Sequence, residues 1–474
     1  MGSESSPQPS NEMLAFHATA SILTPRVGTL ALAGRKAIST PHYIPLASRG
    51  VVPHIAHDVM RDNTAIRSLF VGLEDFVERQ SPKNPPPVYK TPTAQDESAL
   101  RKFAGLPDDL LLIIGARREP PIKCPPSNTP NSVAIYTSVG FRQLEAGQYI
   151  NAVQKLKPDI VVGLADLVLG HTPGTKRRGK MVDRTHAFTT HATGKLYGSA
   201  VPEENQSKAA YFAPVLPLDN AQQSIYIDDL ESELRPYISG LALYESASLS
   251  AITEPLGDLP RLLFSAPATP HAILREISLG ADLLTIPFIG VCSDAGIALD
   301  FTFPSTPNTT TTDSQPRHLA FDLWSPSYTT DTSPLSESCQ CYTCCNHHRA
   351  YIHHLLTTKE MLAWTLLQIH NYHAMDLFFA DIRQSIARGT FEADTQTFQR
   401  AYVSELPEPT GQGPRLRGYQ LPASGPHQTR RNTRAYGKLD DAMERFAESQ
   451  SSLATPDTGA EGLEEHGFGT KEKQ

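Results

Sequence analysis

The sequence has no apolar run approaching the roughly 18 residues that a bilayer-spanning helix needs. Its first residues, MGSESSPQPSNEM, lack the basic-then-apolar layout of a secretory leader. Positive charge is not in excess: the formal net charge is −8. A general polyanion binder is therefore excluded, and any RNA contact needs a local basic patch. Cysteine is scarce, with 6 in 474 residues, and four of them fall within positions 339–345. A disulfide framework is excluded by that spacing, which points to a reducing compartment and a metal site. Hydrophobic residues reach 39%, enough for a core but low for a chain folded throughout.

Proline is plentiful instead, at 39 residues, so long loops are expected. The length suits one large α/β barrel with additions. Met1-Gly2 with Ser6 matches a short N-myristoylation pattern. Residues 132–138, 159–167, 209–218, 237–245, 260–268 and 281–289 are nearly continuous apolar runs, as parallel strands buried on both faces should be. Helical patterns such as GFRQLEAGQYINAVQKL and PHAILREISLG lie between them. This alternation predicts a parallel α/β sheet or barrel. The segment 303–318 is polar and rich in Pro and Thr, and predicts a loop insertion. Over 359–389, Leu362, Leu366, Ile369, Tyr372, Phe379 and Ile382 recur at three- and four-residue steps, with Gly389 as the stop. That spacing predicts one long helix.

Cys339, Cys341 and Cys344 are close enough on one loop to cap one ion. Structural zinc takes thiolate and imidazole in a closed tetrahedron. The spacing leaves the fourth ligand open among Cys345, His347, His348, His353, His354, His370 and His373.

The stretch CQCYTCCNHHRAYIHHLL…EMLAWTLLQIHN resembles the zinc region of the tRNA-guanine transglycosylases, the queuine tRNA-ribosyltransferases. That family carries Cys-x-Cys-x2-Cys, then 25 residues, then His-Asn, and 25 residues separate Cys344 from His370-Asn371 here. By this resemblance the ligands are Cys339, Cys341, Cys344 and His370, holding one structural Zn2+. Residues 26–55 and 260–284 also resemble the family, so the likeness runs from about 17 to 390. It implies a (β/α)8 TIM-type barrel with a zinc subdomain inserted near its C-terminal end. The expected division is a disordered tail over 1–13, a barrel over 14–405 with the zinc subdomain at about 319–390, and a mostly disordered extension over 406–474.

The family exchanges guanine for queuine at the wobble position of tRNAs with GUN anticodons, those for aspartate, asparagine, histidine and tyrosine. It uses one aspartate as nucleophile and a second for protons. The proton-handling position, in Asp-Ser-Gly-Gly-Phe, is Thr137 here. The nucleophile position, in Gly-Val-Asp-x-Phe-Asp, is Thr285, although Asp282 keeps the first aspartate. A threonine without an activating base does not replace a carboxylate. The base-reading Val-Gln-Gly-Gly becomes Val215-Leu216-Pro217-Leu218, and Tyr244 takes a glycine position. Asp166 alone matches the base-reading aspartate, and its expected role is to cap a nearby loop.

These departures resemble the family's non-catalytic subunits. They imply a heterodimer with a catalytic queuine tRNA-ribosyltransferase subunit, joined through the zinc region and the 359–389 helix, with tRNA as the shared ligand. The expected location is cytoplasmic, or peripheral on the mitochondrial outer membrane. The alternative is an active transglycosylase using Asp282, Asp294 or Asp300. For tRNA phosphates the candidates are Lys176, Arg177, Arg178 and Lys180, in a basic loop that also holds Arg184.

Overall fold

The structure is a computed structural model describing residues 14–19, 21–77, 85–94, 97–124, 127–137, 140–305 and 315–414. The tail at 1–13, residues 306–314 of the Pro/Thr-rich loop and residues 415–474 lie outside the described residues.

Eight parallel strands form one sheet: β1 (His42–Ile44), β2 (Ser68–Gly72), β3 (Leu111–Gly115), β4 (Ile160–Val162), β5 (Ala210–Val215), β6 (Gly240–Leu243), β7 (Arg261–Leu263) and β8 (Leu283–Thr285). Each pairs with its neighbour in chain order from β2 to β8, and β8 pairs with β1. A parallel bridge between Leu46 and Phe70 brings β1 back to β2 and completes the ring. Helices on the outside include α1 (His57–Asn63), α2 (Ala99–Ala104), α3 (Ala146–Leu156), α4 (Thr175–Tyr197), α5 (Asn220–Glu231), α6 (Pro270–Ser278) and α7 (Phe288–Ala295). The expected (β/α)8 barrel is what the chain forms.

Strand alternation separates two apolar layers. In β3, Leu111 and Ile113 join Phe70, Phe212 and Leu262 inside the barrel, while Leu112 and Ile114 face the helices. Gly240 is what lets the Phe212 ring lie across β6: a Cβ there meets the ring at 2.6 Å. A three-stranded antiparallel sheet (Leu14–Ala18, Gly28–Leu32, Ile38–Thr40) joins this inner layer through Leu14, Leu30 and Ile38. Arg26 ties that sheet to the foot of β8. Its Nε and Nη2 donate to Asp282 Oδ1 and Oδ2 at 2.9 and 2.6 Å.

Three expectations shift in detail. The run at 132–138 is not a barrel strand: Ser132–Thr137 pairs antiparallel with Gly140–Glu145 in a separate hairpin. The helix expected from Gly140 therefore starts only at Ala146. The basic segment 176–184 is not a loop but the first turns of α4.

After α7 the chain enters a third apolar cluster built from Leu323, Leu335, Ile352, Leu356, Trp364 and Leu367. It holds an antiparallel pair (Ile297–Leu299 with Ala320–Asp322), then α8 (Tyr342–Asn346), α9 (Arg349–Thr357), α10 (Met361–Arg388) and α11 (Phe391–Ala401). The long helix expected over 359–389 is α10. It has no internal Gly or Pro, and Gly389 ends it at φ +73°. Ile369, Tyr372, Phe379 and Ile382 are buried as expected, but Leu362 is exposed beside Met361. Residues 406–414 return to this cluster, with Thr410 N donating to Asp322 Oδ2 at 3.3 Å. Among the described residues no helix is long and apolar enough to cross a membrane.

Candidate functional site

Two sites carry chemistry-bearing residues, the cysteine cluster and the C-terminal mouth of the barrel. In the first, Sγ of Cys339, Cys341 and Cys344 lie 3.7, 3.6 and 3.3 Å from Nδ1 of His370. All four ligand atoms fall within 4.8 Å of one another. A tetrahedral ion with metal–sulfur bonds of about 2.3 Å and a metal–nitrogen bond of about 2.0 Å needs S···N edges of about 3.6 Å. The residues therefore fit one four-coordinate metal with no open position. The His370 tautomer is fixed from behind, because Nε2 donates to the Leu299 carbonyl at 2.8 Å and leaves Nδ1 free to ligate. Asn371 accepts from Leu299 N and donates to Ile297 O, so α10 is stitched to that strand beside the cluster.

Most of the other candidates are used elsewhere. His348 Nδ1 caps α9 by accepting from Tyr351 N, and His347 stacks on Tyr351 with centroids 5.3 Å apart. His353 donates to Leu323 O, while Cys345 and His354 are exposed. His373 lies near Cys339 outside the four-atom cluster.

At the barrel mouth, Thr285 ends β8, fully buried, with its hydroxyl 3.4 Å from Leu263 O. Thr137, also buried, donates to Gly140 O at 2.9 Å, and Ser138 and Val139 lie outside the described residues. Leu216 is buried at the end of β5. The Tyr244 ring lies against Phe264, 5.7 Å between centroids and 19° between planes, and Phe264 in turn meets Phe70.

Asp166 holds more than a loop cap. Arg177 Nη1 and Nη2 donate to its two oxygens at 2.7 and 2.5 Å. Arg184 Nη1 donates at 3.1 Å and Asn128 Nδ2 at 2.6 Å. Burial is the largest single effect and opposes the charge, but the hydrogen bonds from Arg177, Asn128 and Arg184 and the Arg177 charge together outweigh it and hold the carboxyl below the usual range. Arg177 and Arg184 were candidates for a basic surface and instead reach inward. Their spacing of seven, two turns of α4 on one face, was the available signal. Arg178 Nε donates to Pro173 O at 2.9 Å. Lys176 and Lys180 stay exposed.

The alternative nucleophiles lie elsewhere. Asp282 precedes β8, at the opposite end of the strand from Thr285, and both oxygens are bound by Arg26. Asp294 pairs with His54 at 2.5 Å outside the mouth. Asp300 is exposed beyond Leu299. One carboxyl that sequence reading missed is at the mouth. Glu119 has an Oε1 that is buried without a partner, and burial pushes its carboxyl up to about 8.

A parallel (β/α)8 barrel followed by a Cys3His cluster beside the antiparallel pair that comes after its last strand defines a narrow class of protein. The chain belongs to the queuine tRNA-ribosyltransferase family, whose model matches residues 22–404. It is 35% identical over 387 residues to a Schizosaccharomyces pombe protein named queuine tRNA-ribosyltransferase accessory subunit 2, covering 81% of this chain and 83% of that one. Proteins of the same name in Xenopus tropicalis and Aedes aegypti are 28% and 26% identical, covering 78% and 79% of this chain and 95% and 89% of theirs.

Proposed function

We propose that this chain is the non-catalytic subunit of a queuine tRNA-ribosyltransferase heterodimer. Its partner exchanges guanine for queuine at the wobble position, and this chain scaffolds the partner and helps dock the tRNA. The observation that carries the reading is the state of Asp166. Both of its oxygens are taken by Arg177, with Arg184 and Asn128 adding to them. A purine edge that needed this buried carboxylate would have to displace a half-buried, bidentate guanidinium. Around it, no carboxylate stands at Thr137 or Thr285, and Tyr244 takes space at the rim.

Zn2+ is the metal we assign to Cys339, Cys341, Cys344 and His370, from the S3N donor set and its tetrahedral edges. Bound there, it supplies a cross-link between the loop at 339–344 and α10, and no chemistry. The cross-link holds a surface that carries exposed Tyr342, Met361, Leu362 and Leu377. Apolar side chains exposed on a rigid element suit a subunit interface. Lys176 and Lys180 offer phosphate contacts on the first turns of α4.

Co-expression with a catalytic subunit tests the reading. The two chains should copurify as a heterodimer, and guanine exchange on tRNA should need the partner. Failure to copurify sinks the assignment.

A further inference from the structure

We infer that the cleft between the loops after β4, β5 and β6 is a binding site for one ribonucleotide unit of an RNA strand. This deepens the proposed function and rests on tRNA being the ligand of the assembled heterodimer. The cleft has a volume of about 890 Å3, within the range of about 300–1,000 Å3 for ligand sites. It opens on the catalytic face of a barrel fold, but outside the mouth that Arg177 and Tyr244 occupy.

The groups facing it are of two opposite kinds. Arg178 is anchored through Nε to Pro173 O, which leaves its Nη groups for the cleft, and the exposed His171 stands beside it. Asp219 and Glu245 face the same space. Each sits at the N-cap of a helical turn, and neither side chain caps it. A simple anion suits Arg178 but is repelled by the carboxylates. A cation has the reverse problem. A ribonucleotide satisfies both, with its phosphate on Arg178 and its ribose 2′-hydroxyl donating to Asp219 or Glu245. Met181 and Leu218 supply an apolar wall for a base.

The walls are held before any ligand arrives. Gln223 is buried and its Nε2 donates to Leu216 O and Leu218 O at 3.2 and 2.8 Å, fixing the loop after β5. The exposed Lys176 and Lys180 lie on the same helix but two residues either side of Arg178, on another face, so Arg178 is the helix's one cation that lines the cleft. The carboxylates make the site selective for RNA over DNA, because a deoxyribose has no 2′-hydroxyl to donate.

The experiment uses the heterodimer with transcribed tRNA, and two variants of this chain: Arg178→Ala, and Asp219→Ala with Glu245→Ala, which removes both acceptors. Binding is measured across salt concentrations, with 2′-hydroxyl acylation as a footprint. Arg178→Ala should weaken binding about tenfold and lower the salt slope by about one. The double variant should lose protection at one or two nucleotides. A tRNA carrying deoxyribose at those positions should bind wild type more weakly, but bind the double variant as the all-ribose tRNA does. Wild-type affinity, slope and footprint in both variants overturn the cleft assignment alone. No tRNA binding by the wild-type heterodimer overturns the docking role itself.

Discussion

Arg177 and Asp166 meet two against two, at 2.7 and 2.5 Å, across a carboxylate that is fully buried. The arginine comes from the first turns of α4 and the aspartate from the loop after β4. The fold thus fills a position at its own mouth with one of its own side chains. Removing one partner of a buried pair costs about 3–5 kcal/mol, because it strands the other charge. Arg184 and Asn128 remain here, so Arg177→Ala should cost less, about 2 kcal/mol, read as a lower urea midpoint. A double-mutant cycle with Asp166→Asn should show coupling. Additivity of the two substitutions contradicts the pairing.

The same group sets an acid limit. The Asp166 carboxyl is held below its ordinary range in the fold, while the unfolded chain returns it to about 3.9. Its contribution is present above about pH 4 and is lost as pH falls through the lower folded value. Wild type should therefore lose more stability than Asp166→Asn between about pH 5 and pH 3. Equal slopes in that window would leave Asp166 without its partners.

Glu119 has the opposite sign. Burial raises its folded value to about 8, and Oε1 has no partner. Above the unfolded value of about 4.3 the unfolded chain ionises first, so this group costs stability as pH rises toward 8. Glu119→Gln should raise the melting temperature at pH 8 by a few degrees, and little at pH 5. An unchanged difference between the two pH values would show that Glu119 is ionised in the fold.

At the metal centre, His370→Ala should lower both metal content and melting temperature, because an incomplete tetrahedron leaves three thiols around an open vertex. His348→Ala should keep the metal, since His348 caps α9 and does not ligate. Elemental analysis of the purified variants distinguishes them.

The metal site was legible because its ligand types are few and their spacing is long and specific. So was α10, whose apolar period runs uninterrupted to Gly389. The barrel itself could be anticipated from runs such as those around Ala210–Val215 and Gly240–Leu243. Residues 132–137 misled because an apolar run reads the same in a barrel strand and in a buried hairpin. The start of α4 looked like a loop because Thr175–Lys180 is polar, with glycines at 174 and 179 and no apolar stripe. Asp166 could be placed from sequence, but its partners could not. Asn128 lies 38 residues earlier, and the α4 arginines reach it only once the turn after Leu167 folds back.

Base exchange by the purified chain alone, compared with the same chain and a catalytic subunit, tests the central claim most directly. Radiolabelled guanine in tRNA and denaturing electrophoresis for a covalent RNA adduct are the two readouts. The account predicts no guanine release and no adduct from the isolated chain, and exchange only when the partner is present. Release by the chain alone, or an adduct on Asp282, Thr285 or any other of its residues, would contradict it.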